Sequence, residues 1–138
     1  MRVSQRLDYA LRALVLLAAR PPGTYLSGIE VATRLGLPQR VVEQQLSELA
    51  RARILASKRG AGGGHALAHP AAQITVADVV RAIEGDVLDV PKALGSATSE
   101  FWQRAADSFG VYLSGTTVAS LAARQGELDT ASTHIYYI

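Results

Sequence analysis

The sequence contains no cysteine among its 138 residues. This absence excludes disulfide bonds, thiolate metal sites, cysteine nucleophiles and iron–sulfur clusters that are held by cysteine. Aromatic residues are also few, at 6% of the chain. Hydrophobic residues nevertheless make up 49% and charged residues 19%, a composition that is typical of a globular protein with a real core.

Long hydrophobic runs are absent as well. The longest apolar run, Ala13 to Ala19, is far shorter than the ~20 residues that a membrane-spanning helix requires. The first residues also lack the basic, hydrophobic and cleavage-site order of a signal peptide. We therefore expect a cytoplasmic protein without a membrane segment.

The positive and negative charges are unevenly distributed along the chain. Residues 1–60 contain ten basic and four acidic side chains, a net charge of +6. Residues 61–138 contain four basic and eight acidic side chains, a net charge of −4. A basic first half and an acidic second half indicate a module that faces a polyanion, joined to a part with another role.

Local signals predict three helices in the first half. Ser4 can cap a first helix, which Pro21-Pro22-Gly23 ends. The capping box Ser27-Gly28-Ile29-Glu30 begins a second helix of about two turns, which stops at Gly36. Pro38 then opens a third helix. Two short helices around a turn that contains glycine predict a helix-turn-helix.

The third helix has a distinctive outer face. Its predicted buried stripe is Val42, Leu46 and Leu49, with Ile54 beyond its end. The outer positions carry amides, a hydroxyl, a carboxylate and guanidinium groups, at Gln39, Arg40, Glu43, Gln44, Ser47 and Arg51. These groups can pair with base edges and phosphates. On this face alone, an ordinary exposed helix is an equal alternative.

A glycine-rich loop links two short runs that are able to form antiparallel strands, Ile54 to Lys58 and His65 to His69. Lys58 and Arg59 place two cations at the start of this loop. A P-loop and a dinucleotide fingerprint both require a helix after the glycines, and none is predicted there. A flexible linker is the remaining alternative. We favour the wing of a winged helix, because glycines let the backbone approach a phosphate or a narrow minor groove.

The second half predicts further helices. Thr75-Val76-Ala77-Asp78 caps a fourth helix that closes at Gly85. A helix from about Thr98 to Leu113 has an apolar face that is too wide for one small domain to cover. We expect this face to form a dimer interface, through Phe101, Trp102, Ala105, Phe109, Tyr112 and Leu113. A last helix begins near Thr116 or Thr117, and the tail from His134 is strand-like.

Metal and catalytic sites are not indicated. His65 and His69 would lie roughly 13 Å apart on one strand, too far to chelate a single ion. His65 is better interpreted as a packing or hydrogen-bonding residue of the hairpin. The sequence shows no nucleophile elbow, metalloprotease helix or paired carboxylates in an apolar setting. We therefore do not expect an enzyme.

Taken together, these motifs resemble the Rrf2-type winged-helix transcriptional regulators, the group of IscR, NsrR and CymR. The resemblance lies in four stretches: V-S-Q-R-L-D-Y-A-L-R-A-L from Val3, V-V-E-Q-Q-L-S-E-L from Val41, S-K-R-G-A-G-G-G-H-A-L from Ser57 and I-T-V-A-D-V-V-R-A-I-E-G from Ile74. It covers residues 1–85 closely and the rest loosely. It implies a mostly α-helical fold with a small β-hairpin, and a homodimer that binds double-stranded DNA.

The resemblance also implies which residues contact DNA. It places Gln39, Arg40, Glu43 and Gln44 of the third helix at the DNA, and we expect Pro38, Val41 and Ser47 of the same helix to join them in the major groove. The resemblance places Arg59 of the wing at the DNA, and we expect Lys58, Gly60, Gly62, Gly63 and Gly64 to enter the minor groove with it. We expect Arg2, Ser4 and Arg51 to contact the DNA backbone.

The sequence departs from the family where many members carry three cysteines that hold an iron–sulfur cluster. The corresponding segment, Asp86 to Glu100, has none, so that Asp8, which lies where some members recruit a carboxylate ligand, has no site to complete. We therefore expect a regulator without a cofactor, most simply a repressor on a pseudo-palindromic operator. The alternative is a module that senses a small molecule or docks a partner protein through an apolar pocket near Trp102.

These expectations divide the chain into four parts. Residues 1–85 form the winged helix-turn-helix domain, and residues 86–97 form a loop in place of the cluster-binding segment. Residues 98–126 form the dimerisation helices, and residues 127–138 form a C-terminal tail.

Overall fold

The computed structural model of the protein describes residues 2–136. Six α-helices and one two-stranded hairpin follow one another along the chain. They are α1 (Gln5–Ala18), α2 (Gly28–Leu35), α3 (Gln39–Arg51), β1 (Leu55–Lys58), β2 (Gly64–Leu67), α4 (Val76–Glu84), α5 (Ala97–Gly115) and α6 (Val118–Tyr136). A short 3₁₀ turn, Ala71–Gln73, precedes α4. The predicted fold class, mostly α with a small β-hairpin, is confirmed.

The three helix N-caps that the sequence predicts are all present in the structure. Ser4 accepts a hydrogen bond from the Leu7 N–H at the start of α1. The Ser27 hydroxyl and the Glu30 carboxylate make the reciprocal capping box of α2. Thr75 and Asp78 do the same for α4. Caps of this kind satisfy N–H groups that a helix cannot bond internally, which is why these helices begin where the sequence predicts.

The hydrophobic core is built around α1, which packs against α2, α3, α4, α6 and β2. Leu14 of α1 and Leu46 of α3 are fully buried in it. The predicted buried stripe of α3 is also confirmed, because Val42, Leu49 and Ile54 all belong to this core. One polar side chain of α3, Gln45, is buried with them.

The C-terminal end of α3 uses an unusual residue. Arg53 has a left-handed backbone, with φ of 63°. Its N–H donates to the Ala50 carbonyl (3.0 Å), and the Ile54 N–H reaches back to the Leu49 carbonyl (3.0 Å). Glycine is the usual residue at this position of such a helix end, because any side chain strains a left-handed backbone.

Two backbone hydrogen bonds join the starts of α4 and α6. The Val76 N–H donates to the Thr116 carbonyl (2.9 Å), and the Val118 N–H donates to the Ile74 carbonyl (2.8 Å). Thr75 and Thr117 form the antiparallel bridge between these bonds. The chain that contains α4 and α5 therefore begins and ends at neighbouring residues, Thr75 and Thr117.

The second half differs from prediction at its end. Helix α6 continues to Tyr136, so the prediction of a strand-like tail from His134 is wrong as far as Tyr136. Tyr137 and Ile138 lie outside the described residues. Within residues 2–136, no helix combines the length and the apolar character needed to cross a membrane.

Candidate nucleic-acid interface

Helices α2 and α3 form the predicted helix-turn-helix. Gly36 takes a left-handed conformation after α2, with φ of 65°, which lets the chain turn within three residues. The Leu37 N–H bonds to the Ala32 carbonyl (3.0 Å) and tightens this turn. Pro38 follows in an extended conformation as the N-cap residue of α3. Its lack of an N–H costs nothing at this position.

The outer face of α3 is polar and exposed to solvent. Helical spacing places its buried stripe on one side and its amide, carboxylate and guanidinium groups on the other. The exposed predicted contact residues are Pro38, Gln39, Arg40, Glu43, Gln44, Ser47 and Arg51. Val41 alone among the predicted recognition positions is half-buried.

Glu43 makes two contacts within the protein. Its carboxylate accepts a hydrogen bond from Gln39 Nε2 (3.2 Å). The side chain also lies against Gly28 in the first turn of α2, where an added Cβ would come within 2.4 Å of Glu43 Cγ. Only a residue without a Cβ leaves room for this arrangement. Sequence reasoning assigned Gly28 to the capping box but missed its contact with Glu43.

The hairpin pairs antiparallel, with Leu55 opposite Leu67 and Lys58 opposite Gly64. The glycines of its tip are required by geometry, since Gly60 and Gly62 have φ of 91° and 73°. An added Cβ on Gly63 would lie 2.2 Å from the Lys58 carbonyl oxygen. Lys58 and Arg59 are both exposed beside this tight turn. The predicted hairpin with a basic, glycine-rich tip is therefore present.

An isolated backbone bridge attaches the hairpin to the residues just before the helix-turn-helix. Leu26 and His65 exchange two backbone hydrogen bonds, of 3.0 Å and 2.7 Å. The backbone of Gly64 passes so close to Leu26 that an added Cβ on Gly64 would lie 2.2 Å from the Leu26 carbonyl oxygen. Next to this bridge, Lys58 Nζ lies 5.8 Å from the ring centre of Tyr25, a cation–π contact. The wing is thus held in place beside α2, and Tyr25 is a second residue that sequence reasoning missed.

His65 stabilises the hairpin, as the sequence predicts. Its Nδ1 lies 2.9 Å from the Ser57 hydroxyl on the paired strand. Burial lowers the pKa of His65, and the nearby Glu43 carboxylate opposes this shift. The neutral imidazole is therefore favoured, with Ser57 as its hydrogen-bond partner.

The three predicted DNA-backbone residues are not alike. Arg2 and Arg51 are exposed. The Ser4 hydroxyl is occupied inside the protein, because it caps α1 and donates to the Glu84 carboxylate. Arg6 pairs with the same carboxylate at 2.9 Å. The hydrogen bonds from Arg6 and Ser4 lower the pKa of Glu84. Ser4 therefore joins α1 to α4, and its hydroxyl would have to leave Glu84 to reach a phosphate.

Helix α5 carries the predicted interface residues. Phe101, Trp102, Phe109 and Tyr112 are exposed, by 41 to 71%, and Ala105 is half-buried. Phe101 and Trp102 pack edge to face with ring centres 5.1 Å apart. Leu113 differs from the other five because it is only 8% exposed and belongs to the core of its own chain. Leu113 is therefore not available to a partner, which corrects that part of the prediction.

The segment between α4 and α5 contains no thiol, and within residues 2–136 no group of three or more His, Cys, Asp or Glu side chains could hold a metal ion. An open groove of about 830 Å³ lies between this segment and α5, with Arg81, Asp86, Lys92 and Asp107 at its sides. Trp102 does not line it. The apolar pocket predicted near Trp102 is therefore not this groove.

Comparisons with known proteins agree with this geometry. A family model described as Rrf2, iron-dependent transcriptional regulator, matches residues 3–124. The HTH-type transcriptional regulator Rv1287 of Mycobacterium tuberculosis (strain H37Rv) is 34% identical over 131 residues, covering 88% of this chain and 81% of the relative.

Two solved structures are also similar. CymR of B. subtilis, described as its global cysteine regulator, is 29% identical with a TM-score of 0.81, over 90% of this chain and 98% of that chain. IscR of T. potens is 30% identical with a TM-score of 0.79, over 93% of this chain and 90% of that chain. With its winged helix-turn-helix and a family match over nearly its whole length, the chain belongs to the Rrf2 family of DNA-binding transcriptional regulators.

Proposed function

We propose that this regulator acts in the cytoplasm as a homodimeric repressor on a pseudo-palindromic operator whose half-sites lie about one or two helical turns apart. The observation that carries the proposal is the pairing of two surfaces. The exposed polar face of α3 stands beside a glycine-rich wing that the Leu26–His65 bridge holds in place. A helix for the major groove and a basic loop for the minor groove thus belong to one connected unit.

Residues of this unit have different roles in the proposal. Gln39, Glu43 and Gln44 read base edges, because amides pair with adenine and a carboxylate accepts from the cytosine amino group. Arg40 and Ser47 complete the face. Arg2, Arg51 and Lys58 contact phosphates, which gives affinity without sequence information. Arg59 lies at the wing tip, where a narrow minor groove attracts a guanidinium group.

The homodimer follows from the surface of α5. Its four exposed aromatic residues lie on one side of the helix and form a stripe. They are Phe101, Trp102, Phe109 and Tyr112, with the half-buried Ala105 between them. Aromatic side chains are enriched at the centres of protein interfaces. A second copy of the chain that covers this stripe would place two recognition helices on one DNA duplex, as a pseudo-palindrome requires.

The iron that the family description names does not fit the donors of this chain. Iron–sulfur clusters are held mainly by thiolates, and the sequence has no cysteine. Asp8, where a carboxylate ligand is expected in some relatives, pairs with Arg12 at 2.9 Å. We therefore propose that the protein regulates without a cluster. Anaerobic purification should give a colourless protein, and a visible cluster absorption would contradict the proposal.

The decisive experiment is selection of genomic fragments by the full-length protein, followed by binding measurements on the recovered sites. Pseudo-palindromic sites bound with an affinity that falls steeply with salt are expected. Arg59→Ala should weaken binding to all sequences and reduce the salt slope by about one. Glu43→Ala should relax base preference at one position per half-site, a change of ~1–3 kcal/mol in discrimination.

Two controls accompany these variants. Arg124→Ala removes an exposed arginine of α6 whose ion-pair partner is Glu127, and it should leave both affinity and salt slope unchanged. Equal losses on every sequence for Glu43→Ala would exclude Glu43 as a base reader. Repression is tested by a reporter placed behind a selected site, where loss of the protein should raise expression.

A partner-docking module is the second candidate, and the exposed aromatic stripe of α5 is the observation that favours it. In that case the stripe covers another protein and DNA binding is secondary. A monomer in solution, combined with weak binding to all selected fragments, would favour this candidate over the repressor.

A further inference from the structure

A cavity of about 570 Å³ lies at the end of the hairpin opposite its glycine tip. Its walls are the end of α1 from Leu17, the loop of residues 21–24, and residues 66–72 at the end of β2 and beyond. Most of these residues are alanine, leucine or proline. The size and the apolar character are those of a site for a small organic molecule.

One charged residue belongs to the lining of this apolar space. Arg20 lines the cavity, and its Nε is buried without a hydrogen-bond partner among the described residues. A guanidinium group keeps its charge at any pH at which the protein folds. No Asp or Glu lines the cavity, so its walls supply no carboxylate to pair with Arg20. His69, the other basic side chain of the wall, is already bonded through Nε2 to the Arg53 carbonyl (3.1 Å).

We propose that this cavity binds a small organic carboxylate. The carboxylate pairs with the guanidinium group of Arg20, whose Nε has no hydrogen-bond partner among the described residues, while the aliphatic or aromatic body of the ligand lies against the proline and alanine side chains. An arginine edge that presents Nε and a terminal nitrogen matches the two oxygens of a carboxylate. A phosphate fits less well, because a dianion among apolar walls with one cation keeps uncompensated charge.

The position of the cavity connects it to the wing. The loop of residues 21–24 leads directly into Tyr25 and Leu26, and β2 runs from the tip through His65 to Leu67. A ligand would therefore contact residues close along the chain to both partners of the Leu26–His65 bridge, Thr24 on one segment and Ala66 on the other. Its binding would alter the placement of the wing relative to α2 and so change DNA affinity. This coupling rests on the proposed DNA-reading role, whereas ligand binding itself does not.

The test uses the full-length protein with hexanoate and benzoate as probes and with hexanamide and benzamide as neutral matches. Calorimetric titration should show saturable binding of at least one carboxylate, at least tenfold tighter than that of its amide. The same carboxylate should raise the Tm by several degrees at saturation. Arg20→Gln should weaken carboxylate binding at least tenfold, and Arg20→Lys, which keeps the charge and loses the planar fork, should give an intermediate loss.

The matched control is Arg124→Gln, which removes an exposed arginine far along α6 and should bind the probes as the wild type does. Circular dichroism of Arg20→Gln and Arg20→Lys shows whether each is folded. If Arg20→Gln is unfolded, the proposal is judged on two measurements: the loss of carboxylate binding in Arg20→Lys and the weaker binding of the amides to the wild type. Absence of saturable binding, equal binding of amide and carboxylate, or unchanged binding by a folded Arg20→Gln variant would overturn the proposal.

A second arm separates the cavity from its coupling to DNA. On a selected operator, a saturating carboxylate probe should change the affinity of the wild type at least threefold and leave that of Arg20→Gln unchanged. If the probe binds and DNA affinity stays constant, the coupling is wrong and the binding site stands. If no operator can be selected at all, the proposed repressor fails while calorimetry still decides on the cavity.

Discussion

Residues 5–84 and residues 97–136 are both largely helical, yet they place their apolar side chains differently. Among the described residues, 20 of the 22 buried hydrophobic side chains lie between Leu7 and Ile83. The other two are Leu113 and Val118. Helix α5 instead exposes Phe101, Trp102, Phe109, Val111 and Tyr112. The first region therefore obtains its stability within one chain, whereas α5 holds exposed apolar side chains that a second copy of the chain covers in the proposed homodimer.

This difference predicts that substitutions in the two regions affect different properties of the protein, folding in one case and association in the other. A defect in the first region should appear as a loss of folding free energy that does not depend on protein concentration. A defect on α5 should appear as a loss of association, which does depend on concentration. Four substitutions test and sharpen this division, from the largest expected effect to the smallest.

Leu46→Ala should have the largest effect. Leu46 is 0% exposed in the core between α3 and α1, and truncation of such a side chain costs ~2–5 kcal/mol in folding free energy. Urea unfolding at two protein concentrations measures it, and the loss should be equal at both. The control is Leu128→Ala on α6, where the side chain is 46% exposed and a change within ~0.5 kcal/mol is expected. A loss that varied with concentration would contradict the division.

Phe109→Glu should act on association instead. A carboxylate in the centre of an aromatic interface should raise the dimer dissociation constant by ~30-fold or more, equivalent to ~2 kcal/mol or more. Sedimentation equilibrium measures this constant. Val111→Glu adds the same charge to the same helix, but position 111 lies about 200° around the helix from position 109. If Val111→Glu weakens the dimer as much as Phe109→Glu does, the aromatic stripe is not the interface.

Arg53→Gly should increase stability. The left-handed backbone at Arg53 strains any residue with a side chain, so glycine should gain roughly 0.5–1 kcal/mol. Arg51→Gly is the matched control, since it removes the same side chain from the last turn of α3. There glycine should lose stability, by up to about 1 kcal/mol. Urea unfolding of both variants checks the opposite signs, and two losses of equal size would show that the arginine side chains matter more than the backbone.

His65→Gln should change the pH dependence of stability. The pKa of His65 in the folded protein is below the ordinary value of 6.5. Below that value the unfolded chain binds a proton that the folded chain does not, so stability falls as pH decreases through this window. Unfolding free energies of the wild type and His65→Gln at pH 7.5 and pH 5.5 isolate this contribution, because all other titrating groups are shared. The variant should show the smaller decrease; an equal or larger one would contradict the assignment.

The parts of the fold that the sequence predicted well depend on local chemistry. Ser27 with Glu30, and Thr75 with Asp78, satisfy amides only a few residues away, so the motif and the structure contain the same interaction. The glycines of the wing are similar, because positive φ angles at Gly60 and Gly62 are a property of the turn itself.

The parts that were missed depend on residues far apart in the sequence. Nothing around Gly28 predicts that the Glu43 side chain lies against it, because that contact depends on how α2 packs on α3. Gln45 stands in a run of polar residues, so the sequence does not reveal that it is buried. The sequence assigned Leu113 to a partner, because nothing near it shows that the end of α5 packs on the core of its own chain. The residues at the end of α6 favour strands by composition, but that preference depends strongly on context.

The backbone bridge between Thr75 and Thr117 has a consequence for how such a protein evolves. Because the two bridged residues lie side by side, the segment between them begins and ends at the same place in the fold. Helix α4 packs on α1 and α3 and must stay in place, but insertions, deletions or a different sensing loop between α4 and α5 can be accepted without moving α1, α3 or the wing. Selection can thus exchange the signal that a regulator answers to while the set of promoters that it recognises is inherited unchanged.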